Sequence, residues 1–355
     1  MQVPKLEIGT VIADVPIIQG GMGVRVSLSS LAAAVAEEGA IGTIASVGLG
    51  NVDDSKVDYE TITREALELE IRKAQTMTEG HIAVNFMGVL SNVDDLIKAS
   101  VRGGIKLIIY GAGLPAKLPV LVDDPSVNLL PIVSSSRIAE FILRSWDKRY
   151  ARIPDALILE GPLAGGHLGF SEEQLQQPEK YSLEILLPEI LETIKPYEDR
   201  YGKKIPVLAA GGIFTGGDIA RMLRLGASGV QMATRFVCTA ECGVSPEFKQ
   251  HYLDAKEEDI VIIKSPVGMP GRAINNKFLE DLEIKGRIKI KCPYRCLTAC
   301  KVESARYCIA LALLNSYFGD TDHGLIFCGQ NAYRIDKIVT VKELISELLA
   351  ELEAA

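Results

Sequence analysis

The stretch Asp155-Ala156-Leu157-Ile158-Leu159-Glu160-Gly161-Pro162-Leu163-Ala164-Gly165-Gly166-His167 decides how the chain is read. Its first half is a short apolar run that ends in an acid and a glycine. That is the pattern of a parallel strand, buried on both faces, as it reaches a functional rim. A glycine pair then lets the backbone approach a ligand closely, and a titratable imidazole follows. The chain has only four histidines, so one set behind glycines at a strand end stands out. A solvated or capping histidine is the plain alternative.

Seven other runs share this character: Val15–Gln19, Gly42–Val47, Ile82–Phe86, Leu107–Tyr110, Leu129–Ser134, Val207–Ala210 and Gly229–Thr234, with Ala156–Glu160 as the sixth of eight in chain order. Amphipathic patterns between them predict helices over Leu28–Glu38, Ile62–Thr78, Val93–Arg102, Ala116–Val122, Ser136–Tyr150, Leu183–Arg200 and Gly216–Leu225. Eight strands alternating with helices predict an α/β fold of the TIM (β/α)8-barrel type, with an open doubly wound sheet as the alternative. The alternation stops after Phe236. Residues 237–320 hold the Gly/Pro-punctuated loop Ser265–Gly271, most of the cysteines and a helix-like stretch, Val302–Tyr317. They are read as a smaller, mostly helical domain over the barrel mouth. Leu344, Ile345, Leu348, Leu349 and Leu352 fall at helical spacing, so Val341–Leu352 is expected to pack back on the barrel. The expected division is 1–236, 237–320 and 321–355.

Hydrophobic residues make up 48% of the 355 and charged residues 24%, a globular balance. A net charge of −8 with no basic block argues against a nucleic-acid surface. Aliphatic runs stop well short of the roughly 20 residues a membrane helix needs. Seven cysteines and an N-terminus without a secretion signal predict reduced thiols and a cytoplasmic location. Assembly into a homo-oligomer is left open.

Chemistry in a barrel of this kind sits at the C-terminal ends of the strands. Here those ends carry Gln19-Gly20-Gly21-Met22-Gly23, Asn85, Gly111, Ser134, Glu160, Gly211-Gly212 and Gln231 to Thr234. No Asp, Glu and His cluster has metal-ligand spacing. Glycines and amides suit a flat, polar, phosphate-bearing ligand. The seventh strand closes in Ala209-Ala210-Gly211-Gly212-Ile213 and the eighth in Gln231-Met232-Ala233-Thr234-Arg235-Phe236, where this fold usually cradles phosphate on backbone amides. Tight βα turns are the alternative use of these glycines.

Pro16-Ile17-Ile18-Gln19-Gly20-Gly21-Met22-Gly23, Ala164-Gly165-Gly166-His167, Ala209-Ala210-Gly211-Gly212-Ile213 and Gly229-Val230-Gln231-Met232-Ala233-Thr234-Arg235-Phe236 together resemble the motifs of the nitronate monooxygenase (2-nitropropane dioxygenase-like) family. The flavin-dependent enoyl-acyl carrier protein reductase II shares them. The likeness covers roughly residues 11–240, with weaker similarity at Ser265–Asn275 and Cys328-Gly329-Gln330. It implies an FMN-binding barrel with contacts at Gly21, Met22, Asn85, Glu160, Gly165, Gly166, Gly211, Gly212, Gln231 and Thr234, and with Gly23, Met232 and Ala233 in the same motifs. His167 matches the family's active-site histidine. Two positions depart from the pattern. Leu163 stands where an acid often precedes Ala-Gly-Gly-His, and Ala233 where glycine usually precedes Thr-Arg-Phe.

The resemblance implies oxidation of a nitronate or nitroalkane to a carbonyl compound and nitrite with oxygen, His167 acting as a base near neutral pH. The alternatives are reduction of an enoyl thioester by NAD(P)H, and a non-catalytic flavin- or phosphate-binding barrel whose cysteine domain meets a partner protein. Arg272 is read as a contact for an anionic substrate or a cofactor phosphate, or as an exposed structural residue. Cys292, Cys296 and Cys300, spaced by four with Cys308 beyond, are placed along one side of a helix starting near Pro293. Buried free thiols are the expectation there, with a metal or iron–sulfur site and redox sensing as the alternatives.

Overall fold

The computed structural model describes residues 1–51, 58–290, 292 and 294–355. The chain opens with a hairpin, β1 (Leu6–Ile8) and β2 (Val11–Ala13). Barrel strands follow: β3 (Ile17–Gln19), β4 (Gly42–Ala45), β5 (Ile82–Met87), β6 (Leu107–Gly111), β7 (Asn128–Val133) and β8 (Leu157–Glu160). After the two-residue strand β9 (Gly166–His167) come β10 (Val207–Ala210) and β11 (Gly229–Met232). The order β3-β11-β10-β8-β7-β6-β5-β4 is parallel throughout. Ile41 bridges β3 toward β4, pairing with Ile18, so the eight strands form a nearly closed TIM barrel.

All eight expected strands are present; Val207–Ala210 has the expected bounds and the others differ by one or two residues at an end. Their alternating residues face two cores. Ile18, Ile109, Leu130, Ile158 and Leu208 fill the interior, and Leu6, Ile8 and Val11 of the opening hairpin pack against them as a plug. Each such aliphatic side chain contributes about 1.5–3 kcal/mol by leaving water. The hairpin is too short to show a period, and the sequence reading does not include it. Outward-facing residues pack on the helices, and the final helix, Val341–Ala354, closes the wall. It starts at a capping box between Thr340 and Glu343, and Glu351 accepts from Gly216 N at 2.6 Å.

The region after Phe236 differs from expectation in two ways. It contains a β-hairpin, β12 (Ile260–Lys264) and β13 (Pro270–Ile274), and β13 pairs antiparallel with β9 to make a three-stranded sheet. Secondly, the described residues from Cys292 to Cys300 are not helical, and the helix expected from Val302 runs only over Ile309–Tyr317. Arg295 has a φ of +46°, a left-handed geometry no α-helix contains, and Leu297 bridges to Leu90 of the barrel. Ser91 N donates to Cys296 O and Thr298 N to Val89 O, both at 3.0 Å, so barrel contacts replace the helical ladder. Pro293, read as the helix start, lies outside the described residues. No helix among the described residues is long and apolar enough to cross a membrane.

Candidate active site

A cleft opens at the C-terminal ends of the barrel strands. Gly21, Met22 and Gly23 line it after β3, Asn85 on β5, and Glu160 at the end of β8. Gly165, Gly166 and His167 follow from the loop into β9, Gly211 and Gly212 after β10, Gln231 and Met232 at the end of β11, and Ala233 and Thr234 just beyond it. The structure thus gathers fourteen of the expected residues in one place, and Arg272 is the exception. The second region supplies the roof through Val267, Ile309, Leu313 and Phe327.

Close packing explains the Gly-rich loops. A Cβ on Gly165 would sit 2.5 Å from the carbonyl carbon of Cys328 and 2.6 Å from Gly329 N, backbone atoms that cannot give way. Gly211 and Gly212 have φ of +90° and +80°, which turns the chain sharply after β10. The returning segment 327–331 is then stitched down. Gly329 N donates to Thr234 Oγ1 at 3.0 Å, Gln330 N to Leu163 O at 3.1 Å, and Asn331 Nδ2 to Gly212 O at 2.7 Å. On the other side, Gln19 is fully buried and pins the loop after β3, donating to Ser27 Oγ at 2.8 Å and accepting from Thr43 N at 3.0 Å.

His167 lies half-buried at the seam between barrel and roof. Its Nε2 is 2.7 Å from Ser265 Oγ, and the Phe327 ring meets it edge-on with centroids 5.0 Å apart. Protein enclosing the imidazole pushes its pKa down to about 4, so it is neutral at physiological pH rather than titrating near neutrality as the sequence suggests. No carboxylate among the described residues bonds it to restore basicity. Glu160 moves the other way. Burial pushes its carboxyl up to about 8, against the pull of the Arg272 charge, so it is protonated at neutral pH.

Arg272 corrects both readings made of it. It is 3% exposed, neither an exposed residue nor part of the cleft lining. Its Nη1 donates to Pro162 O at 2.8 Å and to Ala164 O. Burial lowers its pKa to about 10, which leaves the guanidinium charged. The residue clamps the loop that carries Gly165, Gly166 and His167. The sequence places the segment from Ser265 to Arg272 near the substrate mouth but does not pair Ser265 with His167, and it misses Phe327 and Asn331; these contacts span 98 or more residues, beyond the reach of any local pattern.

The cleft wall has unused polar capacity. Gln231 Oε1 is buried without a hydrogen-bond partner, and the N–H groups of Gly212 and Ala233 donate to no acceptor among the described residues. Among the described residues the lining includes no Lys or Arg. A phosphate here would rest on backbone amides rather than on side-chain cations. A planar heterocycle with N–H and carbonyl edges matches Gln231 and Asn85. The two departures from the family motifs do not block this wall. The Ala233 methyl packs against Gly20, and Leu163 covers Gly212.

A barrel of this topology with its polar, glycine-built cleft at the strand C-termini defines a TIM-barrel enzyme with a ligand site in the usual place for the fold. The chain belongs to the nitronate monooxygenase family, whose profile matches residues 6–351, and it is an oxidoreductase. It is 27% identical over 274 residues to a Mycobacterium tuberculosis protein named (3aS,4S,5R,7aS)-5-hydroxy-7a-methyl-1-oxo-octahydro-1H-indene-4-carboxyl-CoA dehydrogenase, covering 77% of this chain and 67% of that one. It is 28% identical over 288 residues to a probable nitronate monooxygenase of Staphylococcus aureus, covering 76% and 78%. The solved structure of FabK from Thermotoga maritima superposes with a TM-score of 0.72 at 28% identity, over 96% of this chain and 93% of that one.

Proposed function

We propose that the protein is an FMN-dependent oxidoreductase that reduces a substrate of the α,β-unsaturated acyl thioester class, whose acyl part is neutral and largely apolar. The observation that carries the substrate class is the charge of the cleft: no Lys or Arg among the described residues lines it, and the imidazole of His167 is neutral. A reacting group that is itself anionic finds no cation among the described lining residues. Two of the similar proteins carry names of thioester enzymes, the carboxyl-CoA dehydrogenase and FabK, an enoyl-acyl carrier protein reductase II. The flavin reading rests on the motif resemblance together with the orphaned Gln231 acceptor and the amides of Gly212 and Ala233.

Bound FMN would supply the hydride chemistry, with electrons taken from NAD(P)H. The chain's part is position and hydrogen bonding. Ser265 Oγ accepts from Val267 N at 3.3 Å, which leaves its hydrogen for His167 Nε2. We assign the Nδ1–H tautomer on that basis, a neutral donor suited to a thioester carbonyl oxygen. Glu160, held protonated, is a second neutral donor. The apolar roof of Val267, Leu313 and Phe327 excludes water from an acyl chain.

Nitronate oxidation is the second reading, favoured by the family description and the S. aureus relative. Denatured protein should release FMN. Anaerobic reduction by NADPH or NADH, followed by crotonyl-CoA, should restore the oxidised flavin spectrum, and propyl-2-nitronate should not bleach the oxidised enzyme. Bleaching by the nitronate with no response to crotonyl-CoA replaces the first reading with the second.

The two displaced pKa values predict the pH profile. Rate should hold from about pH 5 to 7.5, because His167 gains its proton only near 4, and fall above about 8 as Glu160 ionises. Glu160→Gln, which keeps a neutral donor, should retain most of the plateau rate and lose the alkaline limb. An acid limb near 6.5 in the wild type would show that His167 titrates normally. His167→Ala should keep its flavin and lose about 100-fold in turnover.

A further inference from the structure

Beside the cofactor cleft lies a second pocket whose wall contains Cys292, Cys296, Cys300 and Cys308. All are free thiols. The loop that brings the first three together is built for position, being hydrogen-bonded to the barrel at Val89 and Ser91. Cys308 stands at the N-cap position of Ile309–Tyr317, in the same pocket wall. A further group points to an occupant. Tyr307 lines the same pocket, is 1% exposed, and its buried hydroxyl has no hydrogen-bond partner. Buried hydroxyls are seldom left so. Arg295 also lines the pocket and supplies a positive charge.

We propose that these four cysteines hold an iron–sulfur cluster of the [4Fe–4S] class. As the side chains stand, no group of three or more described His, Cys, Asp or Glu residues could hold a metal ion. A single tetrahedral ion with metal–sulfur bonds of about 2.3 Å needs its sulfurs roughly 3.8 Å apart. A cubane puts four irons between its thiolates and holds them farther apart, so four thiols set along one pocket wall match a cluster rather than a single ion. The Tyr307 hydroxyl then donates to a cluster or cysteine sulfur, and Arg295 offsets the negative charge.

The location gives the cluster a use, which rests on the flavin reading above. Cys296, Leu297 and Ile309 line both spaces, so a single layer of side chains separates cluster from cleft. A one-electron carrier of the ferredoxin class would reduce the cluster, and each electron passed on oxidises the cluster by one and reduces the flavin by one. Two such transfers with two protons from solvent leave the flavin fully reduced.

The test is anaerobic purification of the full chain, with reconstitution by ferrous iron and sulfide, and assay of iron, acid-labile sulfide and released flavin. About four irons and four sulfides per chain are expected, with visible absorption bleached by dithionite. Cys300→Ser and Cys292→Ser should lose most of the iron and keep the flavin, whereas Cys238→Ala, away from the pocket, should keep both. Wild-type iron no higher than in Cys300→Ser overturns the cluster, and so does one zinc per chain without sulfide. Iron and sulfide without flavin leaves the cluster standing and overturns the flavin reading instead.

Discussion

Gly165→Ala should give a folded barrel that no longer retains flavin. The added Cβ would lie 2.5 Å from a backbone carbonyl carbon and 2.6 Å from a backbone nitrogen of the returning segment at Cys328 and Gly329. Neither belongs to a flexible side chain, so the two strips of cleft wall must part. We expect flavin affinity to fall by at least about 100-fold, roughly 2.7 kcal/mol. Gly166→Ala is the matched control. Its Cβ meets nothing within 4 Å, and its φ of +69° costs only about 1–2 kcal/mol. Flavin released per chain from the two variants decides the matter. Equal flavin in both would mean that segment 327–331 is not part of the binding wall.

Arg272→Ala should be the most destabilising single change near the site. It removes a buried cation, leaves Pro162 O and Ala164 O without their donor, and opens a cavity. We expect a loss of about 3–5 kcal/mol, read from the urea midpoint. Arg272→Lys should recover only part of it, because an ammonium lacks the planar fork. In any variant that still folds, kcat should fall more than KM rises, since the loop that sets His167 has lost its clamp. With the guanidinium gone, Glu160 loses the charge that draws its pKa down, so the alkaline limb should move above about 8. An alkaline limb that stays put would show that Arg272 does not act on Glu160.

The barrel was readable because its strands are continuous apolar runs at regular intervals, as strands buried on both faces must be. Glycines and amides at the ends of those runs marked the cleft for the same reason, since strand ends share one rim. What escaped the reading depends on distance along the chain. Ser265 touches His167 across 98 residues, and β13 pairs with β9 across more than 100. Nothing local announces either contact. Arg272 was misplaced because a charged residue in a Gly/Pro loop reads as exposed, whereas two backbone carbonyls make its burial tolerable. At Cys292–Cys300 the spacing of four suggested a helix, and contacts to the barrel at Leu90 and Ser91 overrode it.

The pairing of β9 with β13 makes His167 a shared part. One face of its strand belongs to the barrel motif, and its ladder partner, Gly271, belongs to the roof. Exchange of roofs between relatives, by recombination or by design, therefore cannot treat the junction at Phe236 as a clean cut. A transplanted roof would bring its own residues opposite Gly166 and His167, and with them a new tilt for the imidazole. Swaps that move 166–168 together with 260–274 should preserve turnover, while swaps that cut between them should alter substrate preference first and stability second.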